Sequence, residues 1–154
     1  LGTPFQSVHR VRFEEIDAAG IVYFARFFTW CHDAMAAMLE PLDGGYVALV
    51  RGRNLGFPAV HVEADYVSPL RFGDEVRIAI HVERAGRSSV AMRFELTRGD
   101  DGRKVATVRH VMVLTDLTVL KSAPLPDDVR AVFERHMSPS PPPVLPPVSG
   151  GGSD

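Results

Sequence analysis

One long segment of this chain has the apolar spacing of a helix, and most of the chain after it alternates in twos. Phe24, Phe27, Phe28, Cys31, Met35, Met38 and Leu39 recur at three- and four-residue steps. Ala34, Ala36 and Ala37 keep helix propensity high, and Pro41 with Gly44-Gly45 is expected to end the element. Such a helix has a wide apolar face that must be covered. The later segments supply the cover. Val60, Val62, Ala64 and Tyr66 alternate with His61, Glu63 and Asp65. Val76, Ile78, Ile80 and Val82 alternate with Arg77, Ala79, His81 and Glu83. Val90, Met92, Phe94 and Leu96 alternate with Ala91, Arg93, Glu95 and Thr97. Each reads as a strand with one packed face and one polar face. Gly86 and the run Gly99-Asp100-Asp101-Gly102 mark turns, so the last three strands are expected to form an antiparallel meander. The last strand, 104–116, is apolar on both faces near Val111, Met112, Val113 and Leu114, which suits a central position. A first strand over 5–13 precedes the helix, and Pro126-Asp127-Asp128 opens a short final helix to Arg135. The pattern is α+β: a five-stranded antiparallel sheet wrapped around one long helix, the only large apolar object available for its concave side.

At 154 residues the chain reads as one domain, 1–137, followed by a Pro/Gly/Ser-rich tail, 138–154, expected to be disordered. Pro143 and Pro146 have the spacing of a polyproline ligand, which low-complexity tails commonly show without using it. A formal net charge of −2, with no long basic block, gives no footprint for nucleic acid or an anionic membrane. There is one cysteine, Cys31, so no internal disulfide can form. No stretch has transmembrane length, and no basic-then-apolar opening marks a secretory signal. The expectation is a cytoplasmic protein.

The chemistry concentrates in Asp17-Ala18-Ala19-Gly20-Ile21-Val22-Tyr23-Phe24. A helix start presents unpaired N–H groups and the positive end of a dipole. A carboxylate beside it can attack a carbonyl, or help water do so, while those N–H groups hold the oxygen. Aspartate is also a preferred N-cap residue, and on spacing alone capping is the favoured reading of Asp17. Cys31-His32-Asp33 cannot act as a triad, because consecutive helical residues point in different directions. The scattered histidines and the lone cysteine give no metal-ligand spacing. Neither a P-loop nor a GxGxxG is present. Arg98-Gly99-Asp100 falls in an expected hairpin turn and is a chance match to an adhesion tripeptide.

Together these pieces resemble the hot-dog fold thioesterases, specifically the 4-hydroxybenzoyl-CoA thioesterase family. The resemblance rests on the Asp17–Phe24 run, on Asp65-Tyr66-Val67-Ser68-Pro69-Leu70-Arg71-Phe72-Gly73-Asp74, and on Gly86-Arg87-Ser88-Ser89-Val90. It implies hydrolysis of an acyl-CoA thioester to a free acid and coenzyme A, with no cofactor beyond the CoA of the substrate. It implies that Asp17 is catalytic, as nucleophile or as base for water. The Phe24 N–H, or Tyr23 if the register shifts, would polarise the carbonyl, with Gly20 allowing close approach. The acyl pocket would be lined by Phe27, Trp30, Val60 and His61, and CoA would be contacted by Arg84, Arg87, Ser88 and Ser89. The histidine that follows the Val-Tyr pair in some relatives is Phe24 here, so its role does not transfer. Hot-dog subunits pair edge to edge, which implies a homodimer assembled into a tetramer. Rival readings are a thioesterase acting on acyl-carrier protein, a hot-dog dehydratase, which would need a histidine at the Asp17 turn, and a non-catalytic acyl-binding protein of the same fold.

Overall fold

The computed structural model describes residues 2–138. β1 (Phe5–Arg10) runs into a single 3-10 turn, Phe13–Glu15, and a loop leads from there to α1 (Arg26–Met38). Then come α2 (Gly45–Arg51), β2 (Leu55–Gly56), β3 (Ala59–Tyr66), β4 (Glu75–Ala85), β5 (Ser89–Arg98) and β6 (Lys104–Val113). The chain closes with β7 (Thr115–Asp116), β8 (Lys121–Ser122) and α3 (Asp127–Arg135). One antiparallel sheet has the order β1-β4-β5-β6-β3, and β2, β7 and β8 form a small second sheet. This is the hot-dog arrangement, and β4-β5-β6 is the expected meander.

The core follows from the alternation. Ile78, Ile80 and Val82 of β4 lie beside Leu96, Phe94 and Met92 of β5. All six are buried in one cluster with Phe27, Trp30, Cys31, Ala34, Met35 and Met38 of α1. Each such side chain contributes roughly 1.5–3 kcal/mol when fully buried, so the sheet and α1 hold each other.

Four features differ from the sequence reading. The first strand stops at Arg10 rather than continuing to residue 13: Val11 still bonds to the segment before β4, donating its N–H to Asp74 O (2.9 Å), but Arg12 N–H turns to the Glu15 carboxylate (2.8 Å) as the 3-10 turn begins. Pro41 and Gly44-Gly45 do end α1, but the two glycines, at φ +73° and +67°, redirect the chain straight into α2, which has no counterpart in the reading. The strand expected over 104–116 breaks after Val113, and Thr115–Asp116 joins the second sheet. The fourth difference is β3. Its Val60–Tyr66 face was expected to be packed, yet β3 is an edge strand paired only with β6, with Val60 63% and Val62 41% exposed. At the other end of the chain, Ser138 donates its N–H to Val82 O (2.9 Å). The rest of the tail expected to be disordered lies outside the described residues.

The two hairpin turns of the meander lie at opposite ends of β5. Its ten residues separate Gly86 from Gly99–Gly102 by about 30 Å of extended strand. Tyr66 of β3 pairs with Ala106, so the end of β3 lies at the Gly99–Gly102 end.

Candidate active site

The 16–22 loop is a closed turn. Ile16 and Val22 form an antiparallel bridge, Asp17 N–H donates to Ile21 O and Gly20 N–H to Asp17 O, both at 3.0 Å. Gly20 sits at φ +78°, the left-handed conformation that short antiparallel turns of this kind fill with glycine. No atom lies within 4 Å of where its Cβ would be. Within the described residues, glycine is therefore needed here for backbone conformation rather than for room. Val22 N–H donates to Leu70 O (2.9 Å), which ties the turn to the segment between β3 and β4.

Asp17 is exposed at the tip of this turn, and its Oδ1 accepts the Ala19 N–H (2.8 Å). It does not cap α1, whose N-cap is Ala25. The turn is thus a separate structure placed ahead of the helix, and the capping alternative for Asp17 does not hold.

What fixes the turn is a residue the sequence reading passed over. Glu15 is only 7% exposed. Its Oε1 accepts Trp30 Nε1–H at 2.8 Å, its Oε2 accepts Arg12 N–H at 2.8 Å, and His9 Nε2 lies 3.0–3.1 Å from both oxygens. Burial by itself would raise the Glu15 pKa. The bonds from Arg12, His9 and Trp30, with the His9 charge, outweigh it and hold the carboxyl below its ordinary value. The backbone adds a further tie, since Glu15 O accepts Tyr23 N–H (3.0 Å). One side chain therefore joins β1, the loop and α1. Only the returning half of a capping box is present, Glu15 reaching back to Arg12 N–H, because an arginine side chain at the turn start has no acceptor to offer, and the sequence therefore carries no capping-box signature.

The two donors considered for the carbonyl oxygen separate cleanly. Tyr23 N–H is taken by Glu15 O, whereas Phe24 N–H has no partner among the described residues. Phe24 lies just before α1, and its own carbonyl accepts the Tyr66 hydroxyl (2.8 Å). Tyr66 thereby anchors the Phe24 residue from β3, a contact that sequence reasoning missed across 42 positions. Beside it is an apolar cavity of about 420 Å³, lined by Val22, Phe24, Phe27, Tyr66, Pro69 and Leu70 among others. Phe27 and Tyr66 meet edge to face at 5.0 Å.

The remaining candidates fall into four places. Phe27 lines the cavity as expected. Trp30 is 2% exposed and bound to Glu15, so within the chain it belongs to the core. Val60 and His61 lie exposed on the β3 edge, where His61 Nε2 meets Glu63 Oε1 at 2.8 Å. Arg84, Arg87, Ser88 and Ser89 surround the Gly86 turn, at the opposite end of the sheet from Asp17. That turn is held by α3: Arg130 Nη2 donates to Gly86 O (2.8 Å), and Leu125 N–H to Arg87 O (2.8 Å). Asp33 and Glu40 are exposed, so no acid faces the core from α1. Among the described residues no three His, Cys, Asp or Glu are grouped to hold a metal, and no helix is long and apolar enough to cross a membrane.

Residues 11–133 match the model of the Thioesterase-like superfamily. The chain is 32% identical over 113 residues to a 1,4-dihydroxy-2-naphthoyl-CoA hydrolase of Prochlorococcus marinus (strain NATL2A), covering 67% of this chain and 71% of that protein. Among solved structures, a gentisyl-coenzyme A thioesterase superposes with a TM-score of 0.73 at 26% identity, covering 83% of this chain and 98% of the other. A 1,4-dihydroxy-2-naphthoyl-CoA thioesterase from Synechocystis superposes with a TM-score of 0.77 at 23% identity, covering 84% and 95%, a likeness of fold.

Proposed function

Because this chain belongs to the Thioesterase-like superfamily, we propose that it hydrolyses an aryl-acyl-CoA thioester beside Phe24, with Asp17 as the catalytic carboxylate. The observation that carries the reading is the Phe24 peptide. Its N–H has no partner among the described residues, it stands at the positive end of α1, and its side chain lines an apolar cavity. A donor in that position stabilises the oxyanion that forms when the acyl carbon is attacked. Asp17 supplies the attacking oxygen directly, or takes a proton from a water that attacks. The C–S bond then breaks and coenzyme A leaves as a thiolate, a leaving group good enough that no metal or triad is needed. Phe24, Phe27 and Tyr66 around the cavity suit a flat aromatic acyl group. The relatives named for dihydroxynaphthoyl-CoA and gentisyl-CoA support the same class.

The same reading accounts for the exposed β3. A sheet edge carrying Val60, Val62 and Tyr66 invites another strand. A second copy paired antiparallel there would form a continuous sheet related by a twofold axis. That rotation carries the copy's own Gly86 turn toward the Asp17 end, where Arg87 and its neighbours could reach CoA. Sedimentation is expected to show at least a dimer.

The test is Asp17→Asn, nearly isosteric but unable to act as base or nucleophile. Free-thiol release is measured on hydroxybenzoyl-, dihydroxynaphthoyl-, phenylacetyl- and straight-chain acyl-CoA. The expected loss is on the order of 10²–10⁴-fold with the fold intact. Undiminished turnover by the variant would remove Asp17 from the mechanism.

A further inference from the structure

A second cavity, of about 300 Å³, is lined by Pro69, Arg71, Asp74, Arg98 and Arg103. Pro69 also lines the apolar cavity beside Phe24, so the two are neighbours on either side of one residue. Both lie at the Gly99–Gly102 end of the sheet, far from Arg87 of the same chain. We infer that this cavity binds a phosphate group of the thioester's carrier, a group that coenzyme A and protein-bound phosphopantetheine share. The inference rests on the thioesterase reading and adds to it a phosphate subsite built from the same chain as the cavity.

Three guanidinium groups and one carboxylate line the cavity, and Asp100 and Asp101 stand within 4.0 Å of Arg98 Nε. Each of these acids keeps its charge while accepting a backbone N–H, and Asp100 and Asp101 offset Arg98, so what the cavity offers an anion is the donor capacity of Arg71 and Arg103. Asp74 Oδ2 accepts Arg71 N–H (2.9 Å), Asp101 Oδ1 accepts Arg103 N–H (2.9 Å), and Asp100 Oδ1 accepts Asp101 N–H (2.7 Å). Neither the Arg71 nor the Arg103 guanidinium has a hydrogen bond, or an ion pair within 4 Å, to a described residue. Arg98 Nε is shielded from solvent and makes no hydrogen bond, standing 4.0 Å from Asp100 and 3.9 Å from Asp101. An unmade hydrogen bond on a shielded guanidinium N–H is costly, and a planar donor fork suits phosphate oxygens. Asp74, Asp100 and Asp101 oppose an anion here, and the two unengaged guanidinium forks of Arg71 and Arg103 are what a phosphate would bind.

The test uses the whole chain and the probes coenzyme A, 4′-phosphopantetheine and pantetheine, with binding followed by calorimetry. Arg71 and Arg103 are exposed, so the double variant Arg71→Ala/Arg103→Ala is expected to fold normally. It is expected to bind coenzyme A about tenfold or more weakly than the parent. An equal loss with 4′-phosphopantetheine assigns the cavity to the phosphate next to the pantetheine arm, whereas a loss with coenzyme A alone assigns it to a phosphate on the nucleotide side. The ratio of kcat/KM for acyl-CoA to that for the matching phosphate-free N-acetylcysteamine thioester is expected to fall by the same factor. Unchanged coenzyme A affinity, or an equal loss for pantetheine, would overturn the assignment. A parent protein that cleaves no thioester yet loses coenzyme A affinity in the variant would refute the hydrolase reading and leave the phosphate site standing.

Discussion

Truncating Glu15 to alanine is the most informative change to make in the fold that holds the site. The substitution removes the acceptor for Trp30 Nε1–H and Arg12 N–H and the partner of His9. A hydrogen bond to a charged group contributes about 1.5–3 kcal/mol. The three contacts do not add in full, since His9, at 19% side-chain exposure, can turn to water. The buried indole N–H cannot. The expected loss is therefore that of the charge-assisted bond to the indole with a smaller share from Arg12 N–H, about 2–4 kcal/mol, against a total stability for such a domain of about 5–15 kcal/mol. Glu15→Gln keeps the shape and one acceptor oxygen and should lose less, about 1–3 kcal/mol. Trp30 is the only tryptophan in the chain, so its emission reports on the contact itself during urea unfolding. Because Glu15 also holds Tyr23 through its backbone, turnover by Glu15→Gln should fall in kcat more than it rises in KM. A Glu15→Ala protein whose unfolding midpoint and Trp30 emission match the parent would refute this account of what fixes the loop.

Acid sensitivity should come in two stages. His110 is lowered by burial and by His32, and His81 by burial and Arg93, so both are held neutral in the fold. Their folded pKa values lie below the unfolded one, so stability is full above the ordinary 6.5 and falls as pH drops through the folded values. The depressed Glu15 adds a second loss below its ordinary 4.5. Urea midpoints measured from pH 8 to 4 check this, and a flat line from 8 to 5 would contradict the first stage. Cys31 is fully buried, and burial pushes its thiol pKa well up. A thiol reagent should therefore find no reactive cysteine in the native protein and one after unfolding. Gly20→Ala meets no neighbour but must hold φ +78°, which costs about 1–2 kcal/mol. A thermal midpoint unchanged by that substitution would show that the turn relaxes.

The elements that could be read from sequence are those whose partners lie on repeating positions. β4 and β5 alternate because one face meets α1 and the other is largely polar, and a period of two survives exceptions such as Arg93, buried on the outward face of β5. α2 could not be read, because it is one short helix of seven residues entered through left-handed glycines that look like a terminator. Glu15 was hidden for a different reason. Its partners His9 and Trp30 stand six and fifteen positions away on different elements, so nothing local distinguishes it from exposed Glu14 beside it. At the site, the Asp17–Gly20 turn and the Phe24 peptide are local and were legible, whereas the Tyr66 hydroxyl on Phe24 O depends on the fold.

β3 carries the remaining discrepancy, and it resolves together with another. Its sequence alternates as though one face were covered, but in the single chain α1 leaves Val60 and Val62 open. Separately, Asp17 and Arg87 stand at opposite ends of the same sheet, separated by about the 30 Å length of β5. The proposed twofold along β3 would answer both points, since it would extend the sheet past that edge and bring the far turn of one copy beside the near end of the other. In that assembly the alternation of β3 would specify the contact between copies, and the arginines of the same-chain cavity and those at the Gly86 turn would stand at two distinct positions along one substrate.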